Sequence, residues 1–205
     1  DEEILVKFLN EFDFGQLNVV KLLWKEEPSF SSQVNFGISN AKSKWVSIFE
    51  FDDEYSNIWF KNAKKYSEVY KEVQAFLPIV IDVDDKGMFA GFTNEATFAA
   101  SFSQEMGYLT NDTLQNYQNF QTAGAVFKKQ IFEDFGGFKS SIKLTFIYEF
   151  LLRMSYYDKK MMTIPKLGYK KTNMRPDSLF FNYYNGVAGE KIDAVEARFW
   201  FNTAR

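Results

Sequence analysis

Apolar and polar positions along the chain change period several times, and each change marks an element. In residues 2–12 (EEILVKFLNEF), Ile4, Leu5, Phe8, Leu9 and Phe12 recur at the spacing of one helix face, and Gly15 ends the run. LNVVKLLW (17–24) has the β-favouring character of a strand. EEPSFSSQ reads as a loop, and SSQVNFGISNAKSK predicts a short helix with serine at its cap. KWVSIFEF, residues 44–51, is almost continuously apolar, the pattern of a strand buried on both faces in a parallel sheet. NIWFKNAKKYSEVYKEVQAF (57–76) alternates lysines and aromatics at helical period, and LPIVIDVD (77–84) is another buried strand.

Turn residues follow in DKGMFAGF, and residues 93–119 predict polar loops and short helices, NDTLQNYQNF among them. QTAGAVF (121–127) is a short strand, and KKQIFEDFGGF a helix closed by Gly136 and Gly137. KLTFIYEFLLRMSYY (143–157) predicts a long helix, KMMTIPKLGY a strand containing Pro165, and residues 190–205 a second amphipathic helix. Strand and helix alternate through most of the chain. The expected class is therefore α/β, a Rossmann-like mixed sheet flanked by helices. Residues 1–185 would form one domain. Residues 186–205 would be a C-terminal helix whose apolar face (Ile192, Val195, Phe199, Trp200) docks on it or supports self-association.

Composition narrows the chemistry. The 205 residues contain no cysteine and no histidine, which removes disulfides, thiolates, Ser-His and Cys-His nucleophiles and the usual zinc sites together. Acid–base or metal chemistry is left to Asp, Glu, Tyr and Lys. The net charge of −3, with basic residues scattered, argues against a nucleic-acid partner, which requires a clustered basic face. No apolar run approaches the length of a membrane span and no signal peptide is visible, so a cytoplasmic setting is expected. The 24 Phe and 11 Tyr supply mostly a core, and flat rings can also line a cleft; for Trp59, Phe120 and Tyr148 core packing is the default reading and stacking on a ligand ring the alternative.

The apolar run 45–51 drives into Asp52, Asp53 and Glu54. Acidic residues there have two readings. They begin the next helix, where capping and the helix dipole favour them. Alternatively they stand at a strand tip, where ligands of open α/β sheets bind, and a hard divalent ion with phosphate oxygens offsets their repulsion.

SSQVNFGISNAKSKWVSIFEFDDEY resembles the family 2 glycosyltransferase pattern of an Asn-x-Gly helix, a hydrophobic strand and a D-x-D-type acidic cluster. QTAGAVFKKQIFEDFGGFKSSIKLTFIYEFLLRM resembles that family's acceptor-side segment, and IPKLGYKKTNMRPDS its closing strand and loop. The match runs through about residues 17–180 in order.

The resemblance implies a GT-A fold and transfer of a sugar from a nucleotide-diphosphate sugar to a hydroxyl of a glycan, lipid or protein, with inversion. It implies Mn2+ or Mg2+ held by Asp52, Asp53 and Glu50. It puts Asn35, Lys170, Lys171 and Arg175 at the donor diphosphate, and Asp82, Asp84, Gly124 and Tyr148 along the acceptor cleft; the alternatives are a solvated loop for the three cations, an Asp-rich turn for 82–85 and relief of crowding in a strand for Gly124. Three departures accompany it. The chain starts after the strands that grip the nucleotide base in that pattern. No acidic pair precedes Arg153 at the usual distance, which leaves Glu149 as candidate base or as an i, i+4 partner of Arg153 on the helix surface. Lys170 and Lys171 stand where a histidine is common. A non-catalytic sugar- or nucleotide-binding relative is the alternative function, and a nucleotidyltransferase the third.

Overall fold

The computed structural model describes residues 2–11, 13, 15, 18–20, 22, 29–95, 107–117, 119–143, 145–173, 175, 176 and 178. The two longest strands organise the rest. β3 (Ala75–Val83) and β7 (Met161–Thr172) pair in parallel along nearly the whole of β3. The outer edge of β3 is shared by two short antiparallel strands, β6 (Val126–Lys128) at its start and β4 (Phe89–Thr93) at its end. β7 is flanked the same way by β5 (Tyr108–Leu109) and β2 (Glu54–Tyr55). β1 (Trp45–Ser47) joins outside β6, giving the order β1-β6-β3-β7-β2. Pro78 and Pro165 lack the N–H that a ladder needs, and the β3–β7 register shifts where they sit.

Side-chain alternation along the central strands separates two apolar layers. Ala75, Leu77 and Met161 face one cluster, which includes Ile38 of α2 (Phe30–Asn40), Leu114 of α4 (Asn111–Asn116), Ile131 and Phe132 of α5 (Gln130–Phe135), and Phe146, Phe150 and Leu151 of α6 (Phe146–Tyr156). Phe76, Met162 and Ile164 face the other, closed by Trp59 and Ala63 of α3 (Trp59–Val69). The result is a sheet with helices on both faces. Helix α1 (Glu2–Glu11) forms where the sequence predicts it, and Ser29 caps α2 by accepting from the Ser32 N–H.

Several boundaries differ from expectation. The 44–51 strand is confined to Trp45–Ser47 and is antiparallel, because its partner β6 begins only at Val126, opposite Ser47. Beyond it Phe49 and Phe51 are 55% and 81% exposed, so the apolar run is not a doubly buried strand. The 121–127 strand shortens for the same reason: Ala125 N–H closes a turn on Thr122. The 57–76 helix stops at Val69, since Ala75 and Phe76 belong to β3. β4 and β5 were not anticipated; the glycine and exposed phenylalanines of FAGFT obscure its strand character. In the 17–24 segment, the described residues 18–20 and 22 pair with no strand, and Val19, Val20 and Leu22 are exposed. The remainder of that segment, Phe12 and the expected 190–205 helix lie outside the described residues.

Gly168 sits where Trp59 crosses the central pair. A Cβ there would lie 2.5 Å from Trp59 Cε3 and 2.6 Å from Pro78 Cβ. Gly168→Ala should destabilise the fold by about 1–3 kcal/mol through overpacking. Gly91→Ala, with nothing within 4 Å of its Cβ, should stay within about 0.5 kcal/mol; urea unfolding of the two variants checks both.

Candidate functional site at the strand ends

Because β3 and β7 run in the same direction, their carboxyl ends lie side by side: Asp82 is opposite Lys171 and Val83 opposite Thr172. The turn after β1 folds over this edge. Asp53 N–H donates to Glu50 O at 3.2 Å, and β2 then pairs Glu54 and Tyr55 with Lys170 and Tyr169. Thr172 fastens the turn twice, donating its N–H to Asp53 Oδ1 at 2.9 Å and its hydroxyl to Asp52 O at 3.1 Å. The cluster does not begin a helix, since α3 starts only at Trp59; it lies in a turn after β1, beside the carboxyl ends of β3 and β7.

The cluster is electrostatically tense. Asp53 is 6% exposed, and its Oδ2 is buried without a hydrogen-bond partner, although the Tyr169 hydroxyl stands close to that carboxylate. Burial raises the Asp53 pKa, opposed by the Thr172 N–H and the Tyr169 hydroxyl, with Asp52 raising it further. Burial also raises the Glu50 pKa; Lys171 and Arg175 oppose this, while Asp53 and Asp52 add to it. Arg175 Nη1 is 3.4 Å from Asp52 Oδ2, and its guanidinium lies over the Phe51 ring at 4.3 Å. Lys171 Nζ donates to Gln121 Oε1 at 2.8 Å, and Gln121 N–H donates to Asn94 Oδ1 at 2.8 Å. Glu50, Asp52, Asp53, Lys171 and Arg175 therefore form one constellation. Lys170 is directed elsewhere, to exposed Glu54 at 2.6 Å. Among the described residues, no three acidic side chains are arranged as a metal cage.

Other residues singled out in the sequence have structural partners. Asn35 donates to Phe138 O at 2.7 Å and accepts from Phe138 N–H at 2.9 Å, so it clamps the turn after α5. Asp82 is buried, accepting from Thr93 Oγ1 and from Asn173 Nδ2. Asp84 accepts from the N–H groups of Lys86 and Met88 and closes the β3–β4 hairpin. Tyr148 donates to Leu114 O at 3.0 Å. Gly124 has φ +68°, and its missing Cβ makes room for the Tyr169 ring. Trp59 is 0% exposed and donates to Gly124 O, and Phe120 is 5% exposed; both rings are core, not surfaces for stacking on a sugar.

Glu149 is 1% exposed. Its carboxylate takes Arg153 Nε at 2.7 Å, Arg153 Nη2 at 3.1 Å and Lys139 Nζ at 3.1 Å. Arg153 also donates to the carbonyls of Phe135, Gly136 and Gly137. The pair with Arg153 is present, but it is a buried pair bracing the α5–α6 turn and not a solvated one on a helix surface. Sequence reasoning passed over Tyr169, Thr172 and Gln121, which hold the constellation in place; only the pattern of strand pairing brings them there.

No protein-family model and no curated protein matches the chain. Among solved structures it is similar to S. aureus TarS residues 1–349, at TM-score 0.58 and 14% identity over 95% of this chain and 51% of that one. TarS 1–349 in complex with UDP-GlcNAc gives TM-score 0.59 and 14% identity, covering 95% and 53%. The complex with UDP gives 0.57 and 16%, covering 95% and 52%. The chain thus spans about half the length of these neighbours. The mixed α/β sheet described above, with helices on both faces, has the GT-A fold. No helix among the described residues is long and apolar enough to cross a membrane.

Two outcomes follow from the charges. A carboxyl whose pKa is raised on folding binds more proton in the folded state. Its contribution is favourable below the unfolded value (4.5 for Glu50) and is lost as pH rises through the raised one. Glu50→Gln should therefore increase the urea midpoint at neutral pH and change it little at about pH 4. Glu149→Ala leaves Arg153 without its carboxylate in a buried setting and should cost about 3 kcal/mol or more. Chemical unfolding measures this; a loss below about 0.5 kcal/mol would correspond to a solvated surface pair.

Proposed function

We propose that this chain is the donor-handling part of a glycosyltransferase, taking a nucleotide-diphosphate sugar at the Glu50–Asp53 turn and passing the sugar to an acceptor hydroxyl. The observation that carries the reading is the buried, unpartnered Asp53 Oδ2 among three carboxylates at the ends of the central parallel pair. Like charges crowded together and buried destabilise a fold, and a cationic ligand at the cluster would offset that cost. The similarity to a fold that holds UDP-GlcNAc and UDP in TarS supports the same choice of ligand class.

Mn2+ or Mg2+ suits the donor chemistry of this cluster. Asp52, Asp53 and Glu50 offer hard oxygen ligands, one of them orphaned and buried. The absence of a three-carboxylate cage among the described residues is compatible with an ion that takes one or two carboxylates and completes its shell with phosphate and water. Bound there, the ion would offset charge on the diphosphate. The chain's own cations act on the same group: Lys171, held by Gln121, and Arg175, drawn to Asp52, are placed to bind phosphate oxygens.

The acceptor's proton needs a base within hydrogen-bond reach. Glu149, sequestered by Arg153 and Lys139, is not carried forward in that role. This favours, as a second reading, a relative that binds the donor without transferring it. Calorimetry with UDP and UDP-GlcNAc, with and without Mn2+, tests the first part: wild type should bind both. Asp52→Ala should lose about tenfold or more of the Mn2+-dependent affinity, or about 1.4 kcal/mol. Failure of the wild type to bind either ligand would refute the donor reading. Binding without release of UDP from UDP-GlcNAc, alone or with added glycan acceptors, would select the binding relative.

A further inference from the structure

The Glu50–Asp53 turn lies beyond the end of β1 and has no strand ladder of its own. It is closed by the Asp53 N–H donating to Glu50 O, and it is flanked by the Arg175–Asp52 ion pair, the Arg175–Phe51 contact and Phe49 stacked on Tyr55. Its hydrogen bonds to β7 are three: two from Thr172, and one accepted by a residue of the same strand. Tyr169, 3% exposed, accepts the Glu50 N–H on its hydroxyl at 3.3 Å, and that hydroxyl also stands beside the Asp53 carboxylate. One oxygen thus meets both ends of the turn that presents the three acids.

The position of that oxygen is itself set with little freedom. Tyr169 is paired on both sides, to Val80 of β3 and to Tyr55 of β2. Its ring lies against Gly124, where a Cβ would come within 2.5–2.8 Å of three Tyr169 carbons, so only glycine admits the ring at this height. Gly124 is in turn held by Trp59 Nε1, which donates to its carbonyl at 2.8 Å. On the opposite side the ring meets Tyr55 edge-on at 4.9 Å and Phe49 at 6.3 Å. A buried side chain so confined, ending in a hydroxyl at the base of the turn, has the geometry of a supporting group for a binding site.

We infer that Tyr169 is a positioning residue of the donor site: seated on Gly124, its hydroxyl holds the Glu50–Asp53 turn in the conformation that presents the carboxylates to the ligand. This inference rests on the donor reading above. Tyr169 acts through Glu50 and Asp53 and is not assigned a contact with the donor.

Tyr169→Phe keeps the ring and its seat on Gly124 and removes only the hydroxyl. In the unliganded protein, the Glu50 and Asp53 amide resonances should move while those of the α6 helix stay in place. UDP affinity in the presence of Mn2+ should fall about tenfold, with an unfolding midpoint close to wild type. Phe150→Leu, which loosens the core cluster on the other face of the sheet, is the structural control; it should lower the midpoint and leave UDP affinity unchanged. Unmoved Glu50 and Asp53 amides in Tyr169→Phe, or wild-type UDP affinity, would overturn the inference. So would an affinity loss that Phe150→Leu reproduces in proportion to lost stability. If wild type itself binds no UDP, the donor role falls with the donor reading, and moved amides in Tyr169→Phe would separate that failure from failure of the hydroxyl to hold the turn.

Discussion

The parallel pairing of β3 with β7 is the constraint on which the remaining geometry depends. It is the one parallel ladder among the described strands, and every other strand except β1 is attached directly to it. Parallel alignment brings two carboxyl ends to one edge, and backbone donors and acceptors that would otherwise face water there become anchors. Thr172 N–H holds Asp53 and Asn173 N–H donates to Val83 O, while the Asn173 side-chain amide holds Asp82. An antiparallel pair would place one amino end at this edge and break that grouping. The site is thus a consequence of topology first and of side-chain chemistry second.

The chemistry added at that edge is partly compensated. Arg175 faces Asp52, and Lys171 lowers the energy of ionised Glu50 and Asp53, yet burial still moves both latter groups toward the protonated form. Two fixed cations therefore do not fully balance three acids in this environment. Net repulsion within the turn is tolerable because the turn is short and tied to β7 at both of its acidic ends.

The sequence made the helices legible and the strand limits much less so. Helix α6 and α3 announce themselves because an apolar stripe at helical period is a local property. The length of β1 is not local. It is set by where β6 begins, and β6 begins after a turn at Gly124 whose positive φ accommodates a tyrosine 45 residues further along. The acidic cluster is visible as an anomaly, an apolar run ending in carboxylates, but the strand ends beside it are those of β3 and β7 and not of the run itself, which leaves the sheet at Ser47. Tyr169 and Gln121 are not visible in that way, for nothing in LGYKK or FQTAG marks a group whose role is to hold a residue from another strand.

Glu149 and Asn35 show a different limit. Both were selected because a family pattern puts chemistry near them, and both sit on the same structural feature, the turn between α5 and α6. Asn35 fixes it through both backbone groups of Phe138, and Arg153, carrying Glu149, fixes it through three carbonyls. Two helices distant in sequence are thereby tied to one glycine-containing turn. Groups with that task tolerate few replacements, since a buried guanidinium without its carboxylate, or a turn without its amide clamp, leaves polar atoms unsatisfied. Such residues give a fold a recognisable sequence signature without taking part in its reaction. The Asn-x-Gly and Gly-Gly-Phe segments that carry the resemblance here are therefore marks of architecture: both hold the turn between α5 and α6.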